Sequence, residues 1–229
     1  MSKRIVVLTG AGVSAESGIK TFRDNDGLWN NHRVEEVATP EAWVADMELV
    51  LEFYNQRRKQ LFECEPNPAH YALAELQEKY DVRIITQNVD DLHERAGSEQ
   101  VLHLHGELKK ARSTIDPDYI IELQEWELKA GDTCLKGGQL RPHIVWFGEP
   151  VPNITLAAEI ATTADILMVI GTSMQVYPAA GLIHYAPVDC IKYYIDPAVH
   201  ENRMVKNLKT ICKKAGEGVP ELVRELLNT

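Results

Sequence analysis

"RIVVLTGAGVSA", residues 4–15, decides how this chain is read. Its apolar run is β-branched and does not alternate with polar residues, the mark of a strand covered on both faces, as strands of parallel sheets are. Directly after it, Gly10, Gly12 and Ala15 satisfy the spacing G-x-G-x-x-G/A of a dinucleotide-binding turn. In that reading Gly10 allows the tight turn, and Gly12 lets backbone N–H groups approach a pyrophosphate at the start of a helix expected over "VSAESGI", 13–19.

The same design recurs. "VRIITQN" (82–88) and "DILMVIGTS" (165–173) are apolar runs that end in small polar residues, and "CIKYYID" (190–196) is a weaker copy. Four such strands predict an α/β fold built on a Rossmann-like parallel sheet. In such sheets ligands sit beyond the carboxyl ends of the strands, so the polar residues collected there belong to one candidate site. Between the first two strands the pattern turns helical. Thr39 with Pro40, and Asn67 with Pro68, read as N-cap and first-turn proline, and Trp43, Met47, Val50, Leu51 and Tyr54 recur at helical spacing. Residues 107–141 are irregular, and "RPHIVWFGEP" (141–150) has the content of an edge strand or binding loop. These two insertions predict a smaller lobe, about 29–79 and 107–141, beside a larger one, about 1–28, 80–106 and 142–229. A closing amphipathic helix is expected over "VPELVRELL" (219–227), with Val219, Leu222, Val223 and Leu226 inward.

Composition sets limits. Lys plus Arg number 24 against 34 Asp plus Glu, a formal charge of −10, which repels a phosphate backbone and weighs against nucleic acid as a partner. The basic runs "QRRKQ" and "ICKKAG" are short. The N-terminal apolar stretch is too short for a signal segment and no run reaches the length needed to span a bilayer, so the expectation is a cytoplasmic protein that is not membrane-bound. Cys64, Cys134, Cys190 and Cys212 are scattered, with no zinc-type spacing, and are read as thiols in a reducing compartment. The oligomeric state is left open.

A dehydrogenase would continue with a second strand ending in an acid about twenty residues on. Here "TFRDNDGLWNN" (21–31) is a polar loop, which argues against hydride transfer. "GAGVSAESGIKTFRDNDGLW", "TQNVDDLHERAG", "HLHGEL", "RPHIVWFGE" and "GTSMQVYPAAGL" instead occur in the order found in sirtuins, the NAD-dependent protein deacylases, and the resemblance runs from residue 4 to about 200. It implies a Rossmann-like domain with a smaller lobe, NAD in the cleft between them, and an acyl-lysine peptide laid across as an added strand. On the matching positions, Ala11, Gly12, Ser14 and Glu16 would lie along the phosphates and adjoining ribose, with Thr21, Phe22 and Arg23 over the nicotinamide end. Gln87, Asn88 and Asp90 would meet the nicotinamide ribose and carboxamide, and His105 would be the general base. Gly171, Thr172, Ser173 and Asp196 would hold the adenosine side, with Ala215 near adenine. Val145, Phe147 and Gly148 would line the acyl-lysine tunnel and pair with the peptide. His103 is read as structural.

In the family the acyl oxygen attacks the ribose carbon as nicotinamide leaves, and the base helps a ribose hydroxyl attack the imidate formed, releasing free lysine and O-acyl-ADP-ribose. Tyr54 and Arg57 match the Tyr-x-x-Arg pair of sirtuins that prefer acidic acyl chains. A guanidinium can bond a succinyl or malonyl carboxylate in two parallel contacts, and acetyl-lysine still fits such a tunnel. Most sirtuins also hold a zinc with four cysteines. Ser113 stands where the first is expected and Cys134 is alone in the region, so no metal is expected, with "DYIIELQEW" (118–126) and its apolar neighbours packing instead. An NAD glycohydrolase or mono-ADP-ribosyltransferase on the same site, a non-catalytic NAD or ADP-ribose binding module, and a dehydrogenase remain as alternatives.

Overall fold

The computed structural model describes residues 2–19, 32–172, 177–198 and 205–229. Strands β1 (Arg4–Thr9), β2 (Asp81–Thr86), β3 (Val101–His103), β7 (Ile166–Ile170), β8 (Ile191–Ile195) and β9 (Leu208–Ile211) form a six-stranded sheet in the order β3-β2-β1-β7-β8-β9. Every pairing in it is parallel. The order is that of a doubly wound nucleotide-binding sheet, whose direction of winding reverses between β1 and β7. The sequence expectation of an α/β fold holds, with two more strands than the four expected: β3 and β9 are short edge strands without an unbroken apolar run.

Both faces of the sheet are covered, which is why its central strands do not alternate. Ile5, Val7, Met168 and Ile170 face one core with helices α4 (Pro68–Glu75) and α7 (Ala215–Leu227). Val6, Leu8, Leu167 and Val169 face the other, with α6 (Ile154–Ala161) and the 3₁₀ turn Ala179–His184. Helix α7 buries Val219, Leu222, Val223 and Leu226 as expected, though it begins at Ala215 and carries Pro220 inside.

The smaller lobe contains α1 (Val34–Val37), α2 (Pro40–Ala45), α3 (Met47–Glu63) and an antiparallel sheet in the order β5-β4-β6, where β4 is Gly106–Ser113, β5 Ile120–Glu122 and β6 Leu140–Ile144. A short helix, α5 (Leu92–Arg95), follows β2. The expected N-caps are present: Thr39 Oγ1 accepts from the Ala42 amide at 3.1 Å and Asn67 Oδ1 from the Ala69 amide at 3.0 Å. The helical run from Trp43 to Tyr54 is split at Asp46, whose carboxylate caps α3 through the Leu49 amide at 2.9 Å.

One placement differs. Helix α4 lies within 29–79, the segment expected in the smaller lobe, yet Ala69, Ala72, Leu73 and Leu76 pack beneath the large sheet with α7. The reason is topological: β1 and β2 are parallel neighbours, so the chain must return across the sheet, and α4 is that crossover. "VSAESGI" likewise forms a 3₁₀ turn, Ala15–Ser17, directly after another at Ala11–Val13, rather than an α-helix.

The glycines after β1 meet those after β7. Gly10 N donates to Ile170 O at 3.0 Å and Gly12 N to Gly171 O at 2.8 Å. A Cβ on Gly12 would stand 2.7 Å from Gly171 Cα, and one on Gly171, which has φ +62°, would stand 2.4 Å from Val13 N. Backbone is on both sides, so nothing can give way cheaply. Gly171→Ala is therefore expected to lower unfolding stability by about 2–4 kcal/mol, from strain and overpacking together, measured by urea denaturation; Gly131→Ala, at φ +94° but with nothing within 4 Å of its added methyl, reports the backbone strain without the overpacking.

Candidate active site

Beyond the carboxyl ends of β1, β2 and β7 the polar residues singled out in the sequence converge. Gln87 continues the ladder, its amide donating to Thr9 O at 2.9 Å, and its side chain crosses the winding reversal to donate to Thr172 Oγ1 at 3.2 Å. Asn88 Nδ2 donates to Ser14 Oγ at 3.0 Å, joining this loop to the glycine turn. Ser14 is fully buried, and its hydroxyl in turn bonds the buried Asp90. Burial pushes the Asp90 carboxyl from 3.8 up to about 6, against the opposing Leu92 amide, the Ser14 hydroxyl and the positive His103.

The two histidines of "HLHG" are held by consecutive carbonyls of this loop. His105 Nδ1 lies 3.0 Å from Gln87 O. A carbonyl only accepts, so Nδ1 carries the proton and Nε2 is left with its lone pair. Burial holds the His105 imidazole below its usual value despite the Gln87 carbonyl, so it is a neutral acceptor near pH 7. His103 Nδ1 faces Asn88 O at 3.0 Å and Nε2 faces Glu94 Oε1 at 2.7 Å. Burial disfavours its charge, but two acceptors and the Glu94 carboxylate outweigh that and raise its pKa. It braces Asn88, in keeping with the structural role expected of it.

Beneath the site lies a support that the sequence reading did not identify. His70 Nδ1 accepts from the Asn67 amide at 3.2 Å, so the neutral ring presents Nε2–H to Ser14 Oγ at 3.4 Å. Burial lowers its pKa to about 4. Its ring meets the buried His93 at 4.8 Å between centroids, and His93 Nε2 stands 3.1 Å from Thr9 Oγ1, which donates to Thr86 Oγ1 at 2.8 Å. His93 was in plain view inside "TQNVDDLHERAG"; nothing local signals that its partner is on β1.

On the far side of β7, Tyr194 donates to Thr172 O at 2.9 Å, and the buried Asp196 at the end of β8 accepts from the Ala198 amide at 2.9 Å. Glu16 reaches the first turn of α7, accepting from Gly216 N at 2.7 Å beside the buried Ala215, where a carboxylate complements the positive helix end. Ala11 is exposed at the mouth of the turn. These groups fit a dinucleotide: a glycine turn with Ala11 exposed at its mouth, a hydroxyl and amide cluster, and a carboxylate at a strand end; the amides of Gly10, Gly12, Val13 and Ser14 are already bonded within the protein. Thr21, Phe22, Arg23 and Ser173 lie outside the described residues.

Tyr54 and Arg57 are both buried on α3, one turn apart. Burial raises the Tyr54 phenol despite Arg57 nearby, and lowers the Arg57 guanidinium to about 10 despite the favourable charges of Tyr54 and Asp90. At neutral pH the pair is therefore a protonated phenol and a cation. Val145, Phe147 and Gly148 follow β6, where Phe147 is 50% exposed and Gly148 at φ +90° leaves open space beside it. The Val145 and Phe147 amides are already bonded, to His105 O at 2.9 Å and Ala38 O at 3.0 Å, so an added strand would use other backbone groups of this segment.

A cavity of about 410 Å³ lies elsewhere, between Trp43, Arg112, Arg141 and Trp146. Of the converging polar groups, Gln87 and Thr172 line a much smaller one, about 10 Å³, together with Leu8 and Ala179. The region around Cys134 does not fit a structural zinc. Ser113 Oγ donates to Cys134 Sγ at 3.2 Å and accepts from the Ile115 and Asp116 amides at 3.1 and 3.2 Å. A single thiol and a hydroxyl do not make a tetrahedral site, and among the described residues no group of three or more His, Cys, Asp or Glu side chains gathers.

A parallel sheet of this order, with a buried imidazole and an amide–carboxylate cluster at its winding reversal, has the form of a dinucleotide-binding α/β domain. A family model described as the Sir2 family matches residues 10–178, and the chain belongs to that family. It is 54% identical over 230 residues to an NAD-dependent protein deacylase of Bacteroides thetaiotaomicron and 52% identical over 225 residues to one of Helicobacter pylori, each match covering 98% of both chains. Among solved structures it resembles a variant Sir2 homologue with ADP-ribose (TM-score 0.90, 43% identity, 99% of this chain and 93% of that one). It also resembles a Sir2 homologue with NAD (TM-score 0.88, 43% identity, 99% and 90%).

The raised carboxyl has a measurable consequence. Asp90 ionises near pH 6 when folded and near 3.8 when unfolded, so its charge destabilises the fold fully above pH 6 and not at all below about 4. Asp90→Asn is expected to be more stable than the parent by about 2–3 kcal/mol at pH 7.5. Urea denaturation should show that gain shrinking as pH falls from 6 to 4.

Proposed function

We propose that the protein is an NAD-dependent protein-lysine deacylase that accepts acetyl-lysine and prefers succinyl- and malonyl-lysine, releasing nicotinamide and O-acyl-ADP-ribose. The observation that carries the reading is His105: a neutral imidazole with Nδ1 tied to Gln87 O and Nε2 free to accept a proton, fixed beside the Asn88–Ser14–Asp90 cluster. Membership of the Sir2 family and the deacylase names of close relatives support it.

The glycine turn, with Ala11, Gly12 and Ser14, would take the phosphates; Gln87, Asn88 and Asp90 the nicotinamide ribose and carboxamide; Thr172 and Asp196 the adenosine side. Bound NAD supplies an electrophilic ribose carbon for the acyl oxygen. His105 Nε2 accepts a ribose hydroxyl proton, while Gln87 O stabilises the imidazolium through Nδ1–H. Val145, Phe147 and Gly148 line the path of the acyl-lysine, and Tyr54 and Arg57 offer a neutral donor and a cation to the end of an acidic acyl chain. Matched acetyl- and succinyl-lysine peptides incubated with NAD, with products weighed by mass spectrometry, test this. His105→Ala should lose both activities about 100-fold or more, and Arg57→Met should lose desuccinylation far more than deacetylation. Intact peptides with the parent protein would refute the assignment, and an equal fall in both activities for Arg57→Met would refute the acyl preference.

We also infer that the smaller lobe holds no zinc. Its second insertion is tied instead by α3. Asn55 Nδ2 donates to Leu128 O at 3.0 Å and Asn55 Oδ1 accepts from Leu128 N at 2.9 Å. The fully buried Arg58 donates to Leu108 O at 2.5 Å and Trp126 O at 2.6 Å. Tyr119, Ile121 and Leu123 pack with Leu51, Leu128, Cys134 and Leu140 around them. Metal analysis should find under about 0.1 equivalent of zinc and a chelator should leave Tm unchanged, whereas Asn55→Ala should cost about 2–3 kcal/mol by stranding the Leu128 amide and carbonyl. One tightly held equivalent would overturn the inference.

A further inference from the structure

Trp146, a residue with no assigned role so far, makes a single side-chain hydrogen bond among the described residues, and it makes it to the acyl-selecting phenol: Trp146 Nε1–H donates to Tyr54 Oη at 3.1 Å. Both side chains are buried in this structure, Trp146 2% and Tyr54 0% exposed.

The indole is fixed from several sides. Arg141 stacks on its face with Cζ 3.3 Å from the centroid, and Trp43 meets it at 5.7 Å. Glu149 locks the assembly, accepting from Arg141 at 2.7 and 3.2 Å, from Arg112 at 3.1 Å and from the Trp146 amide itself at 2.8 Å. An indole N–H only donates. Tyr54 Oη is therefore the acceptor in this bond, and its own proton must point away from Trp146. Burial keeps that proton on the phenol at any working pH. A phenol that accepts one hydrogen bond is also polarised to donate another more strongly.

We propose that Trp146 is a positioning residue for acyl selectivity: by donating to Tyr54 Oη it orients and strengthens the phenol as a donor toward the carboxylate of an acidic acyl chain. This rests on the reading of Tyr54 and Arg57 as the acidic-acyl pair. An acetyl group has no carboxylate to receive that proton, so deacetylation is insensitive to the arrangement. A purely structural indole would affect both substrates alike.

The experiment measures kcat/KM on succinyl- and acetyl-lysine peptides for the parent, Trp146→Phe, Tyr54→Phe, the double variant and Arg57→Met. Trp146→Phe should lower desuccinylation about five- to tenfold, the worth of one neutral hydrogen bond, and leave deacetylation within about twofold, which also shows that the variant is folded. In the Tyr54→Phe background the same substitution should have no further effect on the ratio, since the acceptor is gone. Equal losses on both peptides, or an undiminished Trp146→Phe effect without the Tyr54 hydroxyl, would overturn the proposal while Arg57→Met still discriminates. If Arg57→Met does not discriminate either, the acidic-acyl reading and this inference fall together.

Discussion

The site exists because two backbone turns touch. Sheet winding reverses between β1 and β7, and at that point the chain after each strand bends away, leaving a crevice. Here the turns hydrogen-bond each other through Gly10 N–Ile170 O and Gly12 N–Gly171 O, so closely that no side chain fits at any of the three glycines. The glycines are thus required by the meeting of two protein backbones before any ligand arrives. Everything that follows is placed relative to this crossing: Ser14 comes two residues after Gly12, Thr172 one after Gly171, and Gln87 and Asn88 bridge to these two side chains from β2.

Gln87 and Asn88 do double duty. Their side chains reach across the reversal, to Thr172 and Ser14, while their carbonyls turn the other way and receive Nδ1–H of His105 and His103. One dipeptide therefore sets both the polar cluster and the tautomer of His105. The second histidine adds an anchor, its Nε2 facing the Glu94 carboxylate while Nδ1 holds the Asn88 carbonyl. A buried network of this kind is stable only if its members find partners. The neutral pair His70 and His93 below Ser14 meets this in part: each ring places an N–H on a hydroxyl rather than a charge in the core, while His93 Nδ1 is left without a partner among the described residues.

What was legible in the sequence follows from range. Apolar runs such as Val6–Leu8 and Leu167–Val169 announce strands covered on both faces, and Thr39 and Asn67 announce helix starts, because strand burial and capping leave patterns within a few residues. Strands β3 and β9 mix polar and apolar residues at the sheet edges and leave none. Nor does Glu16, whose partner Gly216 is 200 residues away, nor Asn55 and Arg58, whose carbonyl partners lie 50 to 73 residues along the chain. Motifs singled out Asn88, Asp90 and His105, which the structure brings together, but the tautomer of His105 depends on Gln87 O, and a backbone carbonyl carries no residue signature at all.

Helix α3 carries two buried polar pairs side by side. Tyr54 and Arg57 are three residues apart, and so are Asn55 and Arg58, so the two pairs occupy neighbouring faces about 100° apart on one rigid rod. The first pair has Asp90 and Trp146 around it; the second clamps carbonyls of the inserted segment. Because Tyr54 and Asn55 are adjacent on one helix, the bonds of Asn55 to Leu128 and of Trp146 to Tyr54 constrain the same rotation of α3.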